Sequence, residues 1–254
     1  MRAEPAGDFD YDKAKIDYAS IRQPEPTFAA AIEAALGSAE SLINVGAGTG
    51  SYEPLDRQVT AVEPSAAQRS QRPAHLTPAI DAVAEDLPFP DDAFDAALAT
   101  VTVHQWRDLA KGLSEMRRVT QGPVIVMTFA PERLREFWMA EYAPEFNQAG
   151  SSRMPRIEQL TELLGGAVVE ELPVPAGCVD GFDEAFFGRP EAFLDERVRR
   201  AQSSWGFVGP DVEHRSVARL RDALDNGSWD ECHGHLRTAD HYRGSVRLIV
   251  ASGS

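Results

Sequence analysis

Four short apolar runs in the first half of the chain alternate with stretches in which apolar residues recur every three or four positions. The runs are SLINV at 41–45, VTAVE at 59–63, FDAALAT at 94–100 and PVIVMTF at 123–129. Runs of this length predict buried β-strands, and the wider spacing between them predicts helices. Strands that alternate with helices favour a parallel α/β sheet with helices on both faces.

Local signals mark the ends of several helices. A helix is expected from about Thr27 to Leu36, because Gly37 follows it as a stop residue. Ser65 followed by Gln68 fits a capping box and predicts a helix after the second strand. Further helical patterns lie at 109–116, 132–146 and 156–164.

The pattern changes after the fourth strand. A strand, AVVEELPV, is predicted at 167–174, and a final strand, GSVRLIVAS, at 244–252. Between them Pro190 can open one helix, and another ends near Gly227. This region is too long for a hairpin, so we interpret it as a helical cap on the sheet. The predicted parts are an N-terminal arm at 1–26, a core at 27–174, a helical cap insertion at 175–241 and a final core strand at 242–254.

Composition narrows the class of protein and of partner. The 254 residues are long enough for one large domain, and 43% hydrophobic with 26% charged residues is typical of a globular chain. A formal net charge of -15 repels nucleic acids and anionic membranes, which favours small neutral or cationic partners. No secretory leader or long apolar run is found, so a cytoplasmic location is expected.

The stretch VGAGTG at 45–50 follows the first predicted strand. Its glycines, Gly46, Gly48 and Gly50, have the spacing GxGxG rather than the GxGxxG of dinucleotide sites, and no Walker lysine follows. Glu63 ends the next strand, and the ends of adjacent strands border one crevice. A carboxylate there can accept two ribose hydroxyls, which indicates an adenosine-type cofactor without a pyrophosphate. The alternative is a tight turn beside a solvated glutamate.

Four motifs resemble, in the same order, those of class I S-adenosylmethionine-dependent methyltransferases. They are LINVGAGTGSYEP, AVEPSAAQRSQRP, AEDLPFPDDAFDAALATVTVHQW and LSEMRRVTQGPVIVMTF, and they span about residues 40–130. The resemblance is to the small-molecule branch similar to ubiquinone/menaquinone-biosynthesis enzymes (methyltransferase type 11). Later segments such as GRPEAFLDERVR are similar to actinobacterial members.

This resemblance implies a fold and an activity. The fold is a doubly wound, seven-stranded Rossmann-like sheet whose last strand is antiparallel, with a helical cap insertion. The activity is transfer of a methyl group from S-adenosyl-L-methionine to a small molecule, at oxygen or nitrogen, with S-adenosyl-L-homocysteine as product.

The resemblance also implies which residues hold the cofactor. The three glycines contact its methionyl part and Glu63 its ribose. The complete predicted set is Asn44, Gly46, Ala47, Gly48, Gly50, Glu63, Pro64, Ala84, Glu85, Thr100, His104, Tyr18 and Arg22. Two positions depart from the family pattern, since Asn44 and Val83 stand where the family often has Asp. Both departures bear on cofactor affinity.

Histidines are the candidate bases for the acceptor. An oxygen or nitrogen nucleophile can need a base, and His titrates near neutral pH. His104 follows the third strand and therefore belongs to the cofactor edge, where it acts as a base or as part of a lid. His233 and His235, in CHGH at 232–235, are further candidates in the acceptor pocket. The spacing of this cluster fits no common zinc pattern, so no metal site is expected.

An N-terminal arm is the second candidate group. Tyr11, Tyr18 and Arg22 resemble an arm that closes over the cofactor, where Arg22 pairs with the cofactor carboxylate. The alternative is that these are surface residues of an amphipathic segment.

Two rival functions keep the same core. One is a protein-modifying methyltransferase, and the other is a non-catalytic S-adenosylmethionine-binding module. The expected oligomeric state is a monomer or a homodimer.

Overall fold

Two sets of strands organise the protein in its computed structural model, which describes residues 21–253. The strands are β1 (Ser41–Val45), β2 (Gln58–Val62), β3 (Ala96–Thr100), β4 (Val124–Phe129), β5 (Val168–Glu171), β6 (Val174–Pro175), β7 (His241–Tyr242) and β8 (Val246–Ala251). Six of them form a sheet in the order β2-β1-β3-β4-β8-β5, and β6 pairs with β7 in a separate ribbon.

The helices connect these strands and fill the second half of the described chain. The α-helices are α1 (Pro26–Leu36), α2 (Ala66–Ser70), α3 (Leu109–Arg118), α4 (Pro131–Glu136), α5 (Met139–Tyr142), α6 (Pro144–Arg153), α7 (Ile157–Leu163), α8 (Glu196–Arg200), α9 (Pro210–Asp225) and α10 (Ser228–His233). Short 3-10 helices lie at Val103–Gln105, Asp183–Phe186, Pro190–Leu194, Ser203–Phe207 and Gly234–Thr238. Among these elements of residues 21–253, no helix is long and apolar enough to cross a membrane.

Strand directions confirm the predicted α/β architecture. β1 runs parallel to β2 and β3, and β3 runs parallel to β4. β8 is antiparallel to both of its neighbours, β4 and β5. The last strand is therefore antiparallel, as predicted, and it lies inside the sheet rather than at its edge.

The predicted strand number was wrong, because the sheet has six strands among residues 21–253 instead of seven. Beyond β2 the chain forms only an isolated parallel bridge between Val62 and Ile80. Ile80 donates its N–H to Ala61 (2.8 Å) and accepts the N–H of Glu63 (3.0 Å). Pro78, two residues earlier, has no N–H to extend this pairing. The run predicted at 167–174 is likewise divided, because β5 joins the sheet while β6 joins the ribbon.

Each face of the sheet carries its own apolar core. Leu42 and Leu98 pack with Phe28 of α1 on one face, while Ile43 packs with Leu113 of α3 on the other. Every residue of β4 is buried, which explains its unbroken apolar run. The first core continues into the later helices through aromatic side chains, among them Trp138, Phe193 and Trp229. The boundaries of the predicted arm, core and cap stay predictions.

Candidate functional site: the carboxyl edge of the sheet

The glycine loop follows β1 at the edge where the parallel strands end. Gly46, Gly48 and Gly50 have φ angles of 70°, 53° and 95°, a region that side chains with a Cβ rarely adopt. A methyl group on Gly46 would lie 2.2 Å from Thr102 Oγ1. The loop after β1 and the segment after β3 are therefore in direct contact, and glycine is required for this approach.

Glu63 joins the glycine loop to the residues that follow β2. One carboxylate oxygen accepts the N–H of Gly48 and the other accepts the N–H of Ser65, each at 2.8 Å. Burial raises the pKa of Glu63, and these two hydrogen bonds oppose the rise. Each carboxylate oxygen keeps a further lone pair that can accept a hydroxyl of a ligand.

The segment after β3 brings His104 to the same edge. Val101 has a φ of 51°, which is strained for a β-branched residue and is a feature that clusters at functional sites. His104 follows in the 3-10 helix Val103–Gln105 and is half-buried. The contact between Thr102 and Gly46 ties this helix to the glycine loop.

The predicted adenine segment lies beside Trp106. A methyl group on Gly112 of α3 would lie 2.5 Å from the Trp106 ring and 3.2 Å from Ala84 Cβ, so these residues converge. Glu85 accepts the N–H of Asp108 at 3.0 Å. Ala84 is buried and Glu85 is half-buried.

A buried network of three side chains contacts the glycine loop. Asn44 Nδ2 donates to Glu53 Oε1 at 2.9 Å, and Arg72 Nη2 donates to both Glu53 oxygens at 3.0 and 2.8 Å. Arg72 Nη1 also donates to the carbonyl of Gly48 at 3.3 Å. The Arg72 and Glu53 side chains are only 3% and 1% exposed. Sequence reasoning identified Asn44 but missed Glu53 and Arg72, which lie inside the two quoted motifs LINVGAGTGSYEP and AVEPSAAQRSQRP without a pattern that marks them.

Residues 21–25 connect the glycine loop to the segment at 178–181. Arg22 forms an ion pair with Asp180, and Tyr52 donates its hydroxyl hydrogen to the same carboxylate at 2.8 Å. The Tyr52 hydroxyl also accepts the N–H of Glu25 at 3.1 Å. Arg22 is therefore close to the glycine loop with Asp180 as a partner, and its predicted pairing with the cofactor carboxylate stays a prediction. Tyr11 and Tyr18 lie outside the described residues.

An acidic pair that sequence reasoning missed lies at the carboxyl end of β4. Glu184 accepts the N–H of Ser245 at 2.8 and 3.1 Å and its hydroxyl hydrogen at 2.7 Å. The carbonyl of Ser245 accepts the N–H of Ala130, the residue after β4, at 2.8 Å. Burial and the neighbouring charge of Asp183 raise the pKa of Glu184 to about 8. Burial also raises the pKa of Asp183.

The two C-terminal histidine candidates lie among the later helices. His233 Nε2 is 3.2 Å from Glu141 Oε2 of α5, and its ring packs 5.5 Å from Trp229 of α10. His235 and Cys232 are exposed. The contacts of His233 are thus with α5 and α10, and the role of His233 and His235 in an acceptor pocket stays a prediction.

A groove of about 630 Å³ lies at the opposite edge of the sheet. It is lined by residues that precede β1 and β2, among them Glu40 and Arg57. Because ligands of open α/β sheets bind at the carboxyl ends of the strands, we do not assign this groove to the cofactor.

Comparisons with known proteins point to the same part of the chain. Residues 43–127 match a family model described as a methyltransferase domain. Malonyl-[acyl-carrier protein] O-methyltransferase of Halorhodospira halophila is 32% identical over 108 residues, and the match spans only 37% of this chain and 37% of that protein.

Two solved structures extend the likeness to most of the chain. A putative methyltransferase from an antibiotic biosynthesis pathway of Anabaena variabilis is 25% identical, with a TM-score of 0.85, covering 92% of this chain and 99% of that one. Geranyl diphosphate C-methyltransferase of Streptomyces coelicolor, in complex with Mg²⁺, geranyl-S-thiolodiphosphate and S-adenosyl-L-homocysteine, is 16% identical with a TM-score of 0.50, covering 89% and 75%. At 16% identity the second likeness shows the fold alone.

Proposed function

We propose that this protein transfers a methyl group from S-adenosylmethionine to a small-molecule acceptor at oxygen or nitrogen, a proposal that the match of residues 43–127 to a methyltransferase domain model supports. The observation that carries the proposal is the bond between Glu63 and the amide of Gly48, which joins the ends of β1 and β2. The domain match agrees with the enzyme class predicted from the sequence.

The geometry of the edge fits an adenosine-type cofactor. The absence of a side chain at Gly46 lets Thr102 pack against the glycine loop, which holds the loop and the segment that carries His104 at one edge. Glu63 offers two carboxylate oxygens for the two ribose hydroxyls. In this proposal the backbone at Gly46–Gly50 holds the methionyl part, and the segment at Ala84–Glu85 holds the adenine. When bound, the cofactor supplies a methyl group activated on a sulfonium centre.

Alignment is the main catalytic task of the chain. Methyl transfer is an in-line displacement, and holding two reactants in register can lower a barrier by up to about 7–11 kcal/mol. An acceptor O–H or N–H also has to lose its proton. His104 lies at the same edge as the glycine loop. It therefore either accepts this proton as a base or covers the bound cofactor as part of a lid.

Net charge and the relatives bear on the nature of the acceptor. The net charge of -15 favours a neutral or cationic acceptor over a nucleic acid. The two relatives named for their substrates act on chemically different groups, a malonyl carrier protein and geranyl diphosphate. The small-molecule branch and the actinobacterial type therefore stay predictions from the sequence motifs.

Cofactor binding is the first test of the proposed function. Calorimetry with S-adenosylhomocysteine should show binding, whereas NADH should show none. The purified chain should then transfer label from methyl-tritiated S-adenosylmethionine to a panel of phenols, carboxylic acids and amines. Label found only in protein extract would favour the protein-modifying alternative, and cofactor binding without product from any acceptor would favour the non-catalytic module.

His104→Ala separates the two roles assigned to this residue. A loss of turnover with unchanged S-adenosylhomocysteine affinity indicates the base, and a loss of affinity indicates the lid. If turnover and affinity both stay at the wild-type values, neither role applies. His214→Ala is the matched control, because His214 is exposed on α9 and has no role in the proposed site.

A further inference from the structure

Arg72 holds the glycine loop from the side opposite to Glu63. The N–H of Gly48 is bonded to Glu63 at 2.8 Å, and the carbonyl of Gly48 is bonded to Arg72 at 3.3 Å. Both backbone polar groups of this glycine are thus held by charged side chains. Arg72 is itself fixed by two hydrogen bonds to the carbonyl of Thr77, at 3.2 and 2.9 Å.

Glu53 carries the negative charge of this network. Both of its oxygens accept hydrogen bonds from Arg72, and Oε1 also accepts from Asn44 Nδ2. The side chains of Glu53 and Arg72 are almost fully buried. Removing one partner of such a buried ion pair strongly destabilises the folded protein, because the other charge is left unpaired.

An amide at position 44 is required by this arrangement. Asn44 donates to Glu53 at 2.9 Å, so an aspartate at 44 would place two carboxylates next to each other in a buried region. Asn44 is fully buried, and its Oδ1 has no hydrogen-bond partner among the described residues. This oxygen keeps an acceptor at the end of β1, immediately before the glycine loop.

We propose that Glu53 and Arg72 are positioning residues, which hold Gly48 in the place where it binds the cofactor. The negative charge of the network belongs on Glu53, and residue 44 has to be an amide. The inference rests on the proposed function, because it takes the glycine loop as the cofactor site. It adds two residues to that site which contact the loop rather than the ligand.

Arg72→Lys tests the positioning role, since the charge is kept and the guanidinium fork is lost. Arg57→Lys is the matched control, because Arg57 pairs with Glu33 at 2.8 Å and donates to two backbone carbonyls at the opposite edge of the sheet. We expect Arg72→Lys to weaken S-adenosylhomocysteine binding at least tenfold and to speed amide hydrogen exchange at Gly48. Arg57→Lys should leave both within twofold of the wild type.

The proposal is overturned if either quantity is unchanged in Arg72→Lys. Both measurements are made below the unfolding temperature of each variant, so that loss of folded protein does not enter. If the wild-type chain binds no S-adenosylhomocysteine, the proposed function fails, and the exchange rate of Gly48 in the two lysine variants alone decides the role of the network.

A charge exchange tests where the negative charge belongs. Asn44→Asp should weaken S-adenosylhomocysteine binding at least tenfold, because the new carboxylate repels the carboxylate of Glu53. Adding Glu53→Gln gives a network with one carboxylate, at position 44, and one amide, at position 53. The double variant should therefore recover at least half of the lost binding affinity on a logarithmic scale. An Asn44→Asp protein that binds like the wild type, or a double variant no better than Asn44→Asp, would overturn this part of the inference.

Discussion

Gly46 combines two properties that only glycine provides at the end of β1. Its φ of 70° disfavours any residue with a Cβ, and a methyl group would lie 2.2 Å from Thr102 Oγ1. We expect Gly46→Ala to weaken S-adenosylhomocysteine binding at least tenfold, measured by calorimetry, because Thr102 and the segment carrying His104 have to move.

Gly37→Ala is the control for the backbone cost alone. Gly37 has a φ of 55° at the end of α1, and a methyl group there would meet no atom within 4 Å. Both variants should lose about 1–2 kcal/mol of stability from the left-handed backbone, but Gly37→Ala should keep its affinity. Equal affinities in the two variants would contradict the role given to the Gly46 contact.

Glu184 makes stability depend on pH. Its pKa is raised from 4.5 to about 8 in the folded protein by burial and by Asp183, so its contribution is fully present below pH 4.5 and is lost as the pH rises through 8. Arg247 opposes this shift, and Tyr242 also faces the acidic pair. Wild-type stability should therefore fall relative to Glu184→Gln by up to about 1.4 kcal/mol per pH unit over this window.

Urea unfolding of the two proteins at a series of pH values measures this slope. Exposed Glu170→Gln serves as the control and should follow the wild type. A pH profile of Glu184→Gln parallel to that of the wild type would mean that Glu184 does not titrate in this range.

Residues of the site differ in how far the sequence reveals them. The position of the glycines and of Glu63 at one edge of the sheet was predictable, because backbone conformation and strand ends impose a local spacing. Glu53 and Arg72 were not, since the pair forms only when segments 19 residues apart fold together. Glu184 and Ser245 are 61 residues apart and share no motif, so only the tertiary structure shows their contact.

At the scale of elements, helix starts follow rules that the sequence shows in part. Ser65 was predicted as a cap, and its hydroxyl accepts the N–H of Gln68 at 3.2 Å. Asp108 caps α3 in the same way, accepting the N–H of Lys111 at 3.0 Å, and was not predicted. The resemblance implied seven strands, whereas beyond β2 the described chain forms only the bridge at Ile80, where Pro78 has no N–H to extend the pairing.

The capping bond of Asp108 should stabilise the start of α3. Asp108→Ala should lower the free energy of unfolding by about 1 kcal/mol, because the N–H of Lys111 loses its acceptor. Asp108→Asn keeps an acceptor oxygen and should stay within a few tenths of a kcal/mol of the wild type. Chemical denaturation of the three proteins makes the comparison. An equal loss in both variants would show that the charge of Asp108 matters rather than its capping bond.

For the whole molecule, the mainly parallel sheet and its antiparallel last strand were predictable, whereas the packing of the later helices was not. Alternating strands and helices restrict the chain to few topologies. The helices after β4 instead pack through aromatic contacts between distant segments, such as Trp138 with Trp229 at 5.4 Å and Phe146 with Trp205 at 4.4 Å. Such pairs do not recur at a regular spacing along the sequence, so the sequence alone does not predict which aromatic residues contact each other.

Tyr52 links three parts of the molecule that are distant in sequence. It follows the glycine loop, donates to Asp180 and accepts from Glu25, and burial raises its pKa so that the phenol stays neutral. Tyr52→Phe leaves the N–H of Glu25 and the Asp180 carboxylate each without one partner, which costs about 1–3 kcal/mol per buried group.

We expect Tyr52→Phe to lower the unfolding free energy and also to weaken S-adenosylhomocysteine binding, because the segments at 21–25 and 178–181 are no longer held to the glycine loop. Tyr142→Phe is the control, since Tyr142 packs against Trp138 in the later helices, away from this link. Stability and affinity should fall together only in Tyr52→Phe. A loss of stability with unchanged affinity would mean that the link supports the fold without shaping the site, and the cofactor edge would then be defined by the glycine loop and Glu63 alone.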